Sequence, residues 1–269
     1  MNIQEIQDFA KAIRRTAVQM AYNTRTSHTG GTMSQADVLA VLYSGVMNIT
    51  PETVYASDRD RFIQSKGHCC ASYYAALALK GFMNYDELMD QYCKDGSQYF
   101  EHVSHKLPGV ELSTGSLGHG LSVACGMALG ARRSGNNNNV YIIIGDGEIN
   151  EGSNWEAIMF AAHNKLDNLC VILDKNKMQA LGDTIDVLCL DPMPEKLKSF
   201  QWNVLDIDGH DIQQIIEAFD NFKQTIGRPT IIVANTVKGK GVSYMEHNLK
   251  FHYSAPNDEE LKIAMEELR

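Results

Sequence analysis

Short apolar runs alternate with helical repeats along most of the chain. Five runs, at 61–64, 140–144, 169–173, 203–207 and 230–234, are four or five residues long and bounded by polar or small residues. Near-continuous apolarity over so few residues, clearest at 140–144, 169–173 and 230–234, suits strands buried on both faces. Between them, apolar positions recur with helical spacing at 36–46, 71–80, 117–133, 154–164 and 212–223. The first nineteen residues carry a stripe of Ile3, Ile6, Phe9, Ala10, Ile13 and Ala17, which predicts an amphipathic helix. Alternating strands and helices predict an α/β fold, a doubly wound parallel sheet flanked by helices, with residues 1–269 as a single domain. The segments after Ser27, Gln91 and Val237 are long and rich in glycine and histidine, and read as functional loops.

In a sheet of this kind ligands bind outside the carboxyl ends of the strands. The run at 140–144 ends in Gly145-Asp146-Gly147-Glu148, a turn expected to require its glycines. The run at 169–173 delivers Asp174 and Asn176 to its own carboxyl end, with 28 residues between Gly147 and Asn176. If the two strands are neighbours, Asp146 and Asn176 face one crevice. One carboxylate and one amide oxygen suit a hard divalent cation that keeps positions free for phosphate oxygens.

A second signal is Ser113-Thr114-Gly115-Ser116-Leu117-Gly118-His119-Gly120, placed where the predicted helix at 117–133 begins. Glycines admit close approach of a ligand, and a helix amino terminus favours anions. The glycine order is G-x-x-G-x-G and no strand leads into it, so it is not a dinucleotide fingerprint. Histidines are the third signal. His28, His68 and His119 sit among small residues that would expose a ring to a cavity, where imidazoles can bond phosphate or sugar oxygens and carry protons. His102 and His105 have i, i+3 spacing, but no third zinc ligand accompanies them. The Lys238-Gly239-Lys240-Gly241 loop is either an anion contact or a solvated turn. There is no P-loop, no G-x-S-x-G elbow and no H-E-x-x-H motif.

A formal net charge of -9 argues against nucleic-acid and anionic-membrane partners. No apolar stretch reaches the length of a membrane span, and six scattered cysteines without a C-x-x-C pair suit reduced thiols in a cytoplasmic protein.

Several motifs in one order resemble the amino-terminal, diphosphate-binding domain of the transketolases, which use thiamine diphosphate. SHTGGTMSQADVLAVLY resembles the family's first histidine loop and the helix after it, and DRDRFIQSKGH its second histidine. PGVELSTGSLGHG resembles the cofactor-clasping loop, and GDGEINEG with Asn176 the thiamine signature. DIDGHD, TVKGKGVSYME and FHYSAP continue the likeness, which runs from about Phe9 to the carboxyl terminus. The resemblance implies that Asp146, Asn176 and the carbonyl of Met178 hold Mg2+ or Ca2+. It places Gly145, Gly147 and Glu148 of the signature, with His68 and His252, against the cofactor. Gly115 and Leu117 would meet the aminopyrimidine ring, and Ser116 between them would also bind the cofactor. His28, His102 and His68 would act on the substrate side, and Glu151 would join an acidic network between two cofactor sites of a dimer, or else merely cap a helix. The chain departs from the pattern at Thr29, where proline is usual, and at His119, where glutamine is usual. Lys175 and Lys177 also flank Asn176 in place of asparagine and glycine. The loop holding His102 is one residue shorter than the family's, so His105 competes for its role.

The implied chemistry is ketol transfer, moving a two-carbon unit from a ketose phosphate to an aldose phosphate. Pentose and tetrose phosphates are the default substrates, with sulfonated or branched sugars as specialised alternatives. In the family a further domain supplies a glutamate to the pyrimidine ring. The expectation is therefore a split enzyme, an α2β2 heterotetramer in which a separate C-terminal subunit completes the site. Other thiamine-dependent systems, such as deoxyxylulose-phosphate synthases or 2-oxo-acid dehydrogenase components, are alternatives, as is a non-catalytic partner.

Overall fold

A computed structural model describes residues 2–269. Five strands, β1 (Arg61–Gln64), β2 (Val140–Gly145), β3 (Leu169–Lys175), β4 (Asn203–Asp208) and β5 (Thr230–Asn235), form one sheet in the order β1-β2-β3-β5-β4. Every pairing is parallel. β1 has the predicted limits, and each of the others runs one or two residues further at its carboxyl end. The helices are α1 (Ile3–Thr24), α2 (Thr29–Ser34), α3 (Ala36–Val41), α4 (Cys70–Leu79), α5 (Tyr85–Gln91) and α6 (Gly120–Arg133). They continue as α7 (Gly152–His163), α8 (Thr184–Leu188), α9 (Met193–Ser199), α10 (Ile212–Gln224), α11 (Lys250–Tyr253) and α12 (Asp258–Glu267).

Successive strand residues point to opposite faces, so each central strand feeds two cores. Tyr141, Ile143, Cys170, Ile172 and Ile232 pack with residues of α1, α3, α4 and α10 on one face. Ile142, Ile144, Val171, Leu173, Ile231 and Val233 pack with α6, α7 and Leu197 of α9 on the other. Helices cover both faces, which is the doubly wound arrangement expected of such a pattern. The stripe of α1 is buried at Ile6, Ala10, Ile13 and Ala17, whereas Ile3 at its start is exposed. The segment expected to be helical also covers Met1, which lies outside the described residues. No helix among the described residues is long and apolar enough to cross a membrane, and all six cysteines are free.

Two expected elements differ. The segment after Ser27 is not a loop: residues 29–34 form α2, every one of them buried. Its glycines serve packing, since a Cβ on Gly31 would lie 2.9 Å from the Cys69 sulfur. The helix expected from 117 begins only at Gly120. Gly118 has φ +87, and a Cβ there would lie 2.7 Å from both the Glu151 Cβ and the Ser153 Oγ. A left-handed residue ends any helix that would include it. Leu117–His119 are thereby left as irregular chain at the carboxyl edge of the sheet.

Candidate functional site

The carboxyl ends of β2 and β3 are in register, Gly145 opposite Asp174. Asp146 and Asn176 therefore emerge side by side and line one cleft of about 360 Å3. His28, Lys66, His68, His102, Gly115, Leu117, Gly145, Gly147, Glu148, Met178, Leu181, Lys238 and His252 share that lining. Two larger hollows, about 500 and 490 Å3, lie elsewhere, and neither has the strand ends or the histidines.

Asp146 accepts the Lys177 N–H at 2.5 Å, and the Asn176 Oδ1 accepts the Met178 N–H at 3.1 Å. Burial, and then the charge of Asp174, push the Asp146 carboxyl up to about 7. The Lys177 N–H, Lys66 and Lys175 only partly oppose that rise. A carboxylate in this state gains by meeting a cation. Among the described residues no group of three His, Cys, Asp or Glu side chains could hold a metal. The donors at hand, one carboxylate, one amide oxygen and the Met178 carbonyl, suit a hard cation completed by oxygens from a ligand. These residues thus fit a divalent cation, which Asp146, Asn176 and the Met178 carbonyl would hold beside an anionic ligand.

The acidic turn does not need its glycines for their backbone angles, contrary to expectation. Gly147 has φ -72 and ψ -32, open to any residue, and Gly145 has no positive φ. Side chains at either would make ordinary contacts with Gln179 or Lys66. What the glycines provide is a bare surface on the cleft. Glu148 braces it: the carboxylate accepts the Ser65 hydroxyl, the Gly118 N–H at 3.1 Å and the Gly145 N–H at 3.3 Å. One buried side chain so joins β1's end, the glycine loop and the turn.

At the floor of the cleft lies an ion pair that local patterns did not reveal. Lys66 and Asp174 are each 2 % exposed at the side chain and bonded to one another. Lys66 also donates to the Gly31 carbonyl at 3.1 Å, and Asp174 accepts the hydroxyls of Ser34 and Thr236. Burial opposes charge on both, but mutual attraction wins, raising Lys66 and lowering Asp174 from their ordinary values. A lysine two residues beyond a strand at the binding edge was the available signal.

Four histidines form one wall. The His28 ring centroid lies 5.1 Å from that of His68, 6.0 Å from His102 and 5.1 Å from His252. Burial, followed by nearby Lys66, holds His68 well below the usual histidine range. Burial, and then Lys238, bring His252 down to about 4. Burial also lowers His102. All three are neutral donors or acceptors near pH 7. Lys238 is 3 % exposed, its ammonium 3.1 Å from the His252 Nδ1, so the basic loop reaches the cleft and is no solvated turn at this residue.

Other sequence candidates fall elsewhere. His105 is exposed and bonded to Ser113 at 2.7 Å, which leaves His102 as the cleft histidine of that loop. His119 is exposed and stays near its own loop's Leu117 carbonyl. Ser116 is exposed and absent from the lining, unlike its neighbours Gly115 and Leu117. Glu151 is also exposed and off the cleft, and its side chain makes no capping bond to α7. The resemblance transfers motifs, but which way an exposed side chain turns depends on the local backbone. Glu101 was missed: its carboxylate accepts the Ser27 N–H at 2.8 Å and lies 3.1 Å from the His28 Nδ1.

Residues 6–268 match the family described as transketolase, thiamine diphosphate binding domain. The chain is 42% identical over 270 residues to one subunit of the apulose-4-phosphate transketolase of Actinobacillus succinogenes, covering 100% of this chain and 98% of that one. It is 40% identical to the 6-deoxy-6-sulfo-D-fructose transketolase subunit SqwG of Clostridium sp., covering 98% and 96%. A solved transketolase from Campylobacter jejuni superposes with a TM-score of 0.95 at 30% identity. That match covers all of this chain but only 43% of the solved one, so this chain spans about two fifths of its length.

Proposed function

Since this chain belongs to the transketolase family as its thiamine diphosphate-binding domain, we propose that it is the diphosphate-binding subunit of a two-chain transketolase. It moves a two-carbon ketol unit from a ketose to an aldose. The observation that carries the reading is the single cleft in which Asp146 and Asn176 face a wall of four histidines. Support for a split enzyme comes from relatives of matching length that are themselves named as transketolase subunits.

In this reading Asp146, Asn176 and the Met178 carbonyl hold Mg2+ or Ca2+, and the bare Gly145–Gly147 surface admits the diphosphate. Lys238, His68 and His252 supply donors to its oxygens, and Gly115 and Leu117 line the pyrimidine side. Thiamine diphosphate, when bound, supplies the electron sink for carbon–carbon cleavage. His28 and His102, on the open side of the wall, bind substrate hydroxyls and carry protons. The whole chain acts as one unit, and a separate partner completes the site in an α2β2 assembly. Relatives act on apulose-4-phosphate and on a sulfonated fructose, as their names state. A ketose bearing a terminal anionic group is the substrate class proposed for this chain. Free cysteines suit a cytoplasmic setting.

The test is calorimetry of the chain with thiamine diphosphate and Mg2+, followed by ketose-cleavage assays with and without a separately expressed C-terminal transketolase subunit. Binding by the chain and turnover only with the partner are expected. Robust turnover by the chain alone sinks the two-chain reading, and absence of cofactor binding from both chain and complex sinks the whole assignment.

A further inference from the structure

The histidine wall faces one carboxylate from the loop side, Glu101, and its connections decide what His28 can do. A single oxygen, Oε1, accepts the Ser27 N–H at 2.8 Å and the Ser27 hydroxyl at 2.5 Å, and lies 3.1 Å from the His28 Nδ1. The Ser27 Oγ itself is 2.8 Å from that Nδ1. Glu101 titrates at about 2, because the hydrogen bond from His28 and those from Ser27 outweigh burial. Near neutrality it is a pure acceptor. The Ser27 hydroxyl has one hydrogen, and the short contact to the carboxylate takes it. Its oxygen is then an acceptor toward His28 as well. Both neighbours of Nδ1 accept, so Nδ1 must carry the proton.

A neutral imidazole protonated at Nδ1 has its lone pair at Nε2. That atom has no hydrogen-bond partner among the described residues, and the ring lines the cleft. The position of the ring does not depend on Glu101 alone. His28 has φ +63, and its N–H donates to the His252 carbonyl at 3.0 Å. Facing it from the other elements are His68, His102, His252, Lys66 and Lys238, with Asp146 on the cleft floor. None of these contacts Nδ1.

We propose that Glu101 is a positioning residue: with Ser27 it fixes His28 as the Nδ1–H tautomer, so that Nε2 presents a lone pair to the cleft and accepts a proton from a substrate hydroxyl. The proposal rests on the reading that this cleft receives a polyhydroxy substrate. It adds a selectivity, because a hydroxyl is welcomed at Nε2 whereas a carbonyl oxygen there would meet a second lone pair. The proton balance is simple: the hydroxyl proton moves to Nε2, the oxygen keeps the bonding pair, and the resulting imidazolium is stabilised by Glu101.

The experiment is a nitrogen-15 imidazole spectrum of the full chain at pH 7.5, with selectively labelled histidine and His28 assigned by its loss in His28→Gln. A single tautomer protonated at Nδ1 is expected, in excess by about tenfold or more, the factor a hydrogen bond to a charged acceptor supplies. In Glu101→Gln, whose amide both donates and accepts, the excess falls several-fold. In Ser27→Ala, where the carboxylate remains, it persists. A wild-type His28 protonated at Nε2, or an even mixture, overturns the proposal, as does an unchanged ratio in Glu101→Gln. If Glu101→Gln does not fold, the wild-type and Ser27→Ala spectra still decide. Calorimetry with thiamine diphosphate and Mg2+ on the same samples separates the two ideas. Failure there strikes the functional reading and leaves the tautomer result standing.

Discussion

Replacing Lys66 by methionine should destabilise the chain by about 4 kcal/mol while leaving the sheet topology intact. Among the described residues the ammonium is the only cationic partner bonded to Asp174, and both side chains are 2 % exposed. Methionine keeps most of the volume, so little of the loss comes from a cavity. What remains is a buried carboxylate held only by the hydroxyls of Ser34 and Thr236 and a long 3.4 Å contact from Asn176. Breaking a buried pair by removing one partner costs about 3–5 kcal/mol. For a chain of this size that corresponds to a fall in melting temperature of roughly 10 °C. The assay is urea unfolding of the cofactor-free chain, followed by fluorescence of its two tryptophans and by circular dichroism. Lys66→Met/Asp174→Leu provides the control. Replacing both charges removes the uncompensated carboxylate and leaves the Thr236 hydroxyl without an acceptor, at about 1 kcal/mol, while the Ser34 hydroxyl keeps the Gly31 carbonyl at 2.9 Å. The double variant should therefore recover to within about 2 kcal/mol of wild type. A single-variant loss below about 1 kcal/mol, the range of exposed ion pairs, would refute the claim that this pair is dry and supports the cleft.

Three further outcomes follow from the same geometry. Asp146→Ala should weaken thiamine diphosphate binding in Mg2+ at least about a hundredfold by calorimetry, since loss of a direct oxygen donor should exceed the 10–100-fold effect of outer-shell changes; unchanged affinity would count against the cation assignment. Gly118→Ala forces a left-handed alanine whose Cβ meets Glu151 and Ser153, and should cost about 1–3 kcal/mol in urea unfolding; a neutral result would mean that the loop relaxes freely. His252, held down to about 4 in the folded chain by burial and Lys238, takes up its proton more readily when unfolded, so its contribution is complete above about pH 6.5 and is lost as pH falls toward 4. His252→Gln should flatten that part of the stability profile, and an unaltered slope between pH 7 and 4.5 would contradict the assignment.

The strands were legible because their signal is local. An apolar run of four or five residues at 140–144 or 169–173 must be buried on both faces, and the helices between leave only parallel pairing. Their carboxyl ends were set short because Gly145, Asp174 and Lys175 are not apolar, yet they continue the ladder. The segment 29–34 was hidden for the opposite reason. Its glycines, threonines and serine have weak helix propensity, and only the contacts of a buried site hold them helical. Tertiary packing overrode composition there.

The site divides along the same line. Asp146, Asn176 and the cleft histidines stand in motifs whose neighbours announce them. Two carboxylates that organise the cleft, Asp174 at the visible strand end and Glu101 outside every motif, act on partners 108 and 73 residues away in sequence. No window of local pattern contains such a pair. They share a logic that the fold makes plain: each fixes the state of a basic group, Lys66 as a charged anchor at the floor and His28 as a chosen tautomer in the wall. Binding residues are advertised by the ligand they must touch, and so recur as motifs. Residues that set the protonation of those groups answer only to where the chain happens to pass. Glu101 can do so because it directly precedes His102, and the loop that brings one histidine to the cleft carries the carboxylate that instructs another.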